Sequence, residues 1–97
     1  SAAALDALTG TLTRAEAAQM LYELMTEQAH KQYDCSGNGF SDVPAGQWYT
    51  VAVSTLANVG AINGCGDGTF HPNQAISRAQ VALLLMRYDA LIGRNTA

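Results

Sequence analysis

Apolar residues recur at helical spacing in three segments of the chain, at positions i, i+3, i+4 and i+7 in the first and last of them. The stripes are Ala17, Met20, Leu21 and Leu24, then Trp48, Ala52, Leu56 and Val59, and finally Val81, Leu84, Leu85 and Tyr88. No segment alternates convincingly with a period of two. The pattern predicts an all-α fold, a small helical bundle with main helices over 13–30, 47–59 and 77–92. We expect a shared core of Leu21, Trp48, Leu56, Phe70 and Leu85.

Two of these helices begin with the same kind of N-terminal cap. Thr13-Arg14-Ala15-Glu16 is a capping box, in which the threonine hydroxyl accepts from an early backbone N–H and the glutamate reaches back to the cap. Ser77-Arg78-Ala79-Gln80 is the neutral form of the same arrangement. The two segments align from position 12 against 76 to position 21 against 85. This internal repeat is the most informative feature of the chain.

Arg14 and Arg78 occupy a position in these caps that capping does not explain. A cation at the first helical position is mildly unfavourable, because the positive end of the helix dipole lies there. Free N–H groups at a helix start bind anions, and an arginine adds a bidentate fork for carboxylate or phosphate. One hypothesis is an anion pocket at each helix start. The alternative is an internal salt bridge from the arginine to a loop carboxylate such as Asp42 or Asp67.

Composition and charge exclude several classes of function. The 97 residues suit one domain with a modest core, and the net charge of −3 with five Lys and Arg argues against nucleic acid. No apolar run approaches the roughly 18 residues of a membrane span. The first eight residues carry no basic charge, and we expect no signal peptide in them. Since no catalytic motif can be identified either, we expect no enzyme.

Cys35 and Cys65 are the two cysteines, each placed among glycines. A disulfide formed in an oxidising compartment and two free thiols both fit this arrangement. With His30 and His71 the cysteines would make up a Cys₂His₂ zinc set. The spacings are irregular and no Cys-x-x-Cys is present, so we expect no metal and no cofactor.

Six motifs follow one another between Phe40 and about Tyr88. They are Phe40-Ser41-Asp42-Val43-Pro44, Trp48, Gly60-Ala61-Ile62-Asn63-Gly64, Gly66-Asp67-Gly68-Thr69-Phe70, Pro72 and Ile76-Ser77-Arg78-Ala79-Gln80. In order and spacing they resemble a complete S-layer homology repeat, and the segment from Leu12 to Glu16 resembles the closing half of a preceding one. The resemblance implies a closing half-repeat over 1–32 and a complete repeat over 33–97, both in one compact unit.

In that family the repeats are helix–loop–helix units, and the grooves between them bind secondary cell-wall polysaccharide that carries pyruvate ketals. The resemblance implies a non-catalytic attachment module, extracellular at the bacterial cell surface or cell wall. By motif position, it implies a ligand site of Arg14, Arg78, Trp48 and the Gly66-Asp67-Gly68 turn. An arginine suits the ketal carboxylate, a tryptophan offers a flat apolar face to a sugar, and glycines let the backbone approach.

The chain departs from the family pattern in three places. Only one and a half repeats are present, whereas the family's repeats usually come in threes. Gln80 stands where the family has glutamate, and Cys65 stands where an aromatic residue is common. Apolar faces that missing repeats would cover favour association, so we expect a homo-oligomer that restores bundle-like packing. The alternative function is a degenerate module that serves as a structural or oligomerisation domain without binding glycan.

Overall fold

The computed structural model describes residues 12–93. Its helices are α1 (Arg14–Leu24), α2 (Glu27–Tyr33), α3 (Thr50–Asn58) and α4 (Arg78–Tyr88), and a π-helical turn, Asp89–Gly93, extends the last of them. Within this range no strand is present, and a single antiparallel bridge joins Thr13 to Ala75. The predicted all-α fold is confirmed. The ends of the predicted repeat division, residues 1–11 and 94–97, lie outside the described residues.

The first predicted helix, over 13–30, is wrong as a single element. Met25 ends α1 in an extended conformation, with ψ 144°. Thr26 then caps α2, because its side chain accepts a hydrogen bond from the backbone N–H of Ala29 at 3.1 Å. Threonine is a strong N-cap residue. Thr26 therefore starts a separate helix, and Met25 before it is buried.

The core forms where α1 packs against α3. Ala15 and Ala18 of α1 are fully buried, and so is Leu56 of α3. Small residues let the two helices approach closely, so the buried face of α1 is rotated from the predicted stripe. Met20 and Leu24 of that stripe are exposed, Leu24 by 70%.

Three of the five predicted core residues are buried, and two predictions are wrong. Leu21, Leu56 and Phe70 lie in one hydrophobic cluster. Trp48 is 59% exposed and Leu85 is 46% exposed. The first error has a local cause: α3 begins at Thr50, so Trp48 lies before the helix and out of its stripe, and Tyr49 is buried instead. Leu85 lines an apolar groove between α4 and α1 and remains partly exposed there.

Candidate functional site

The starts of α1 and α4 lie side by side, because the residues before them form the bridge between Thr13 and Ala75. At the start of α1, the backbone N–H of Arg14 donates to the Gln74 carbonyl and that of Ala15 donates to the Pro72 carbonyl, both at 2.9 Å. The Glu16 N–H donates to the Thr13 hydroxyl. The helix-start amides of α1 are therefore occupied. The hypothesis that they form an anion pocket does not hold for α1, so any anion there must meet the arginine side chain.

The side chain of Arg14 is fixed on Phe70. Its Nε donates to the Phe70 carbonyl at 2.7 Å, and its guanidinium carbon lies 4.7 Å from the centre of the Phe70 ring. Within residues 12–93, no ion pair joins Arg14 to a carboxylate, and no hydrogen bond occupies its Nη1 and Nη2. The alternative of a salt bridge to Asp42 or Asp67 is therefore not realised at Arg14. The guanidinium is held in place at one edge, and Nη1 and Nη2 have no acceptor among the described residues.

Asp42 holds the loop that carries the partner of Arg14. Its two carboxylate oxygens accept from the backbone N–H groups of Phe70 at 2.8 Å and His71 at 2.9 Å. Partial burial alone raises the pKa of Asp42. The two amide hydrogen bonds, with His71 nearby, outweigh that effect and hold the pKa below its ordinary value. Asp42 therefore fixes Phe70, whose carbonyl in turn fixes Arg14.

Replacing Asp42 with asparagine is expected to lower the free energy of unfolding by about 1–3 kcal/mol at pH 7, because one of the two amides loses its acceptor. The wild-type carboxylate has a lowered folded pKa, so its stabilisation is present above the ordinary pKa of about 3.9. It is lost as the pH falls through the folded value. Thermal melts from pH 7 to pH 2 should show this acid-dependent loss in the wild type and a smaller one in the variant. Equal pH profiles would contradict the assigned role.

A cleft of about 260 Å³ opens beside Arg14, between the 61–64 loop, Phe70 and α4. Its lining residues are Arg14, Ala61, Ile62, Asn63, Gly64, Phe70, Ile76, Gln80, Leu83, Leu84 and Arg87. Two of these described residues are cations and none is acidic. The remainder supply an apolar floor and two amide side chains. Such a lining suits a ligand with an anionic group and an apolar face.

Arg87 is the cleft residue that the sequence interpretation missed. The Asn63 amide, oriented so that both of its polar groups are satisfied, accepts hydrogen bonds through its oxygen from Nη1 and Nη2 of Arg87, both at 3.2 Å. The available signal was helical spacing: Gln80, Leu84 and Arg87 follow at i, i+4 and i+7 on one side of α4. That stripe places Arg87 on the cleft wall.

The other predicted ligand residues do not line the cleft. Trp48 lies before α3 and meets Tyr49 edge to face, with ring centres 5.1 Å apart. Arg78 is exposed at the start of α4. In the exposed Gly66-Asp67-Gly68 turn, Asp67 accepts from the backbone N–H and hydroxyl of Thr69, and these bonds lower the pKa of Asp67. The structure thus brings Arg14, Phe70 and Arg87 together and leaves these three features elsewhere.

Of the two arrangements that the sequence left open for Cys35 and Cys65, a disulfide and two free thiols, the structure has the free thiols. The Cys35 thiol lies 3.7 Å from the Gly37 carbonyl, and the Cys65 thiol lies 3.8 Å from that of Phe70. Across residues 12–93, no group of three or more His, Cys, Asp or Glu is arranged to hold a metal ion. None of the helices in the described part of the chain has the length and apolarity to cross a bilayer.

Comparisons with known proteins give a consistent assignment. A profile of the S-layer homology domain matches residues 39–82. Outer membrane protein SlpA of Thermus thermophilus is 54% identical over 48 residues, which are 50% of this chain and 5% of that protein. S-layer protein EA1 of Bacillus anthracis is 40% identical over 52 residues, 54% of this chain and 6% of that protein. An amylopullulanase of Thermoanaerobacterium thermosulfurigenes is 37% identical over 82 residues, 84% of this chain and 4% of that protein.

The matched region is a small part of each relative. The chain covers 5% of the length of SlpA, 6% of EA1 and 4% of the amylopullulanase. No solved structure matches the chain significantly. The similarity therefore concerns a module that large proteins of different kinds carry.

Proposed function

We propose that this chain, which belongs to the S-layer homology family over residues 39–82, binds a pyruvylated secondary cell-wall polysaccharide through the cleft beside Arg14. The domain is a non-catalytic attachment module of the bacterial cell surface or cell wall, in keeping with relatives named as outer membrane, S-layer and cell-surface proteins. We propose in addition that its ligand is an anionic glycan and that the cleft residues bind it. Any catalytic activity would belong to other parts of the protein that carries the module.

The observation that supports the proposal most strongly is the geometry of the Arg14 guanidinium. One edge of its guanidinium is fixed by the Phe70 carbonyl and ring, and within the described residues Nη1 and Nη2 have no acceptor. A ketal carboxylate fits this planar pair of donors, and a charge-assisted contact of this kind contributes about 1.5–3 kcal/mol. Ile62, Leu83 and Leu84 give the sugar ring an apolar surface.

Arg78, Trp48 and the Gly66-Asp67-Gly68 turn stay predictions as ligand residues. A polysaccharide is longer than the cleft, so these residues would contact it where the polymer runs on across the surface. Trp48, which is 59% exposed, is well suited to stack on a sugar there.

Pull-down with purified wall polysaccharide tests the proposed function. We expect retention of the domain by the native polymer and loss of retention after the pyruvate groups are removed chemically, because the carboxylate is the partner of Arg14. Equal retention by both polymers would contradict the anionic site. Retention by neither would leave the domain without the proposed ligand.

A second candidate function is self-association, favoured by an apolar groove of about 110 Å³ between α1 and α4. Its lining residues are Leu12, Ala17, Met20, Leu21, Val81, Leu84 and Leu85. Met20 and Leu85 in this lining are each 46% exposed. We propose that two copies cover these faces, because exposed apolar surface of this kind drives association.

Sedimentation equilibrium tests the association. We expect a dimer or larger species that Leu85→Gln shifts toward monomer, since Leu85 lines the groove and is 46% exposed. Val51→Gln is the matched control, because Val51 is also exposed but lies on α3 and does not line the groove. A monomer at all concentrations would contradict this second function and leave glycan binding untouched.

A further inference from the structure

Gln80 both caps the start of α4 and lines the cleft. As a cap, its side-chain oxygen accepts from the Ser77 backbone N–H at 3.0 Å, and the Ser77 hydroxyl accepts from the Gln80 backbone N–H at 3.1 Å. As a wall, it lines the cleft with Arg14 and Arg87. The equivalent residue in the first repeat is Glu16, which makes the same pair of capping bonds but does not line the cleft.

Folding alone does not require glutamine at position 80. A capping box accepts either glutamate or glutamine at this position. Glutamate also interacts favourably with the positive end of the helix dipole, so it would serve α4 at least as well. The chain uses glutamate at position 16, which does not line the cleft, and glutamine at position 80, which does. Glutamine at position 80 therefore keeps the cap but avoids the negative charge that glutamate would bring into the cleft.

Arg87 adds the second positive charge. Asn63 accepts two hydrogen bonds from its guanidinium, so Arg87 is held in one orientation against the 61–64 loop. A glutamate at position 80 would stand in the same lining as both arginines and would compete with a ligand carboxylate for them. With glutamine there, no described residue of the lining opposes an anion.

We propose that Gln80 and Arg87 set the charge selectivity of the cleft. Arg87, oriented by Asn63, is the second cation that a ligand carboxylate meets, and the neutral Gln80 keeps both arginines available to it. The inference rests on the proposed function, because it takes the ligand to be a sugar with a carboxylate. It adds that discrimination against the neutral sugar depends on two residues outside the Thr13-Arg14-Ala15-Glu16 motif.

Calorimetric titration with a methyl glycoside that carries a pyruvate ketal tests the inference, and the same glycoside without its ketal is the neutral probe. We expect Gln80→Glu to weaken ketal binding about tenfold and to leave the melting temperature unchanged or slightly raised. Arg87→Gln should weaken ketal binding by a similar factor. Glu16→Gln, the reverse exchange at a capping position whose side chain does not line the cleft, is the matched control and should leave affinity unchanged.

The outcomes distinguish a failure of the role proposed for Gln80 and Arg87 from a failure of glycan binding itself. Ketal binding by the wild type with no change in Gln80→Glu or Arg87→Gln would overturn the inference while the proposed function stands. No ketal binding by the wild type would overturn both. Inorganic phosphate, added as a competitor, should displace the ketal sugar only weakly. Displacement at equal concentration would overturn the assignment of a carboxylate ligand.

Discussion

Replacing Gly64 with alanine is expected to lower the free energy of unfolding by about 2–4 kcal/mol. Gly64 has φ +75°, where a residue with a Cβ costs about 1 kcal/mol. The added methyl would also lie 2.9 Å from the Thr69 carbonyl oxygen and 2.5 Å from Cε1 of Phe40. The Phe40 ring can turn aside, but the backbone carbonyl cannot, so overpacking adds about 1–3 kcal/mol. Because Gly64 lines the cleft, the change should also weaken glycan binding.

Gly66→Ala is the matched control for this substitution. Gly66 has φ +88°, but apart from its chain neighbours no heavy atom of the described residues lies within 4 Å of the place that an added methyl would take. The variant therefore carries the backbone cost of about 1 kcal/mol without the clash. Urea denaturation of both variants, compared at equal m-values, gives the two losses. Equal losses would contradict the close approach of the 61–64 loop to Thr69.

Replacing Arg14 with lysine is expected to weaken binding of the pyruvylated polymer at least tenfold. Lysine keeps the positive charge but has no planar fork, so one bidentate contact worth about 1.5–3 kcal/mol is lost. The variant also loses the Nε hydrogen bond to the Phe70 carbonyl, for which we expect a smaller loss of stability, about 1 kcal/mol. Affinity and thermal melting are measured on the same preparations.

Arg78→Lys provides the comparison at the second helix start. Arg78 is exposed and does not line the cleft, so its substitution should weaken binding less than that of Arg14. Unchanged affinity in both variants, with a clear drop in melting temperature for Arg14→Lys, would mean that Arg14 serves the fold alone. The attachment role of the cleft would then be refuted.

The parts of the fold that depend on neighbouring residues could be predicted from the sequence. The capping boxes at Thr13 and Ser77 both form as predicted, because each joins residues three positions apart. The all-α class follows from the helical spacing of the apolar residues that come after these caps. The local argument also drew attention to Arg14, because the cap leaves its side chain unexplained, and the family resemblance then made it a predicted ligand residue.

The parts that depend on distant residues could not be predicted. Arg87 lines the cleft together with Asn63 and Phe70, two residues that are far from it in the sequence. Trp48 matched the stripe of α3, but the helix begins two residues later, and Tyr49 is buried instead. The use of the α1 amides by Pro72 and Gln74 likewise depends on a segment far along the chain.

The most direct test of the claim that the cleft beside Arg14 binds the glycan is to measure where the ligand binds. A ¹⁵N-labelled domain is titrated with a methyl glycoside that carries a pyruvate ketal, and chemical shifts are followed by NMR. We predict saturable changes at the Arg14 side-chain Nε–H, the backbone amides of Asn63 and Gly64, and the Gln80 side-chain amide, with smaller changes at the Trp48 indole. Changes centred on Trp48 and the Gly66-Asp67-Gly68 turn, with none at Arg14, would contradict the account.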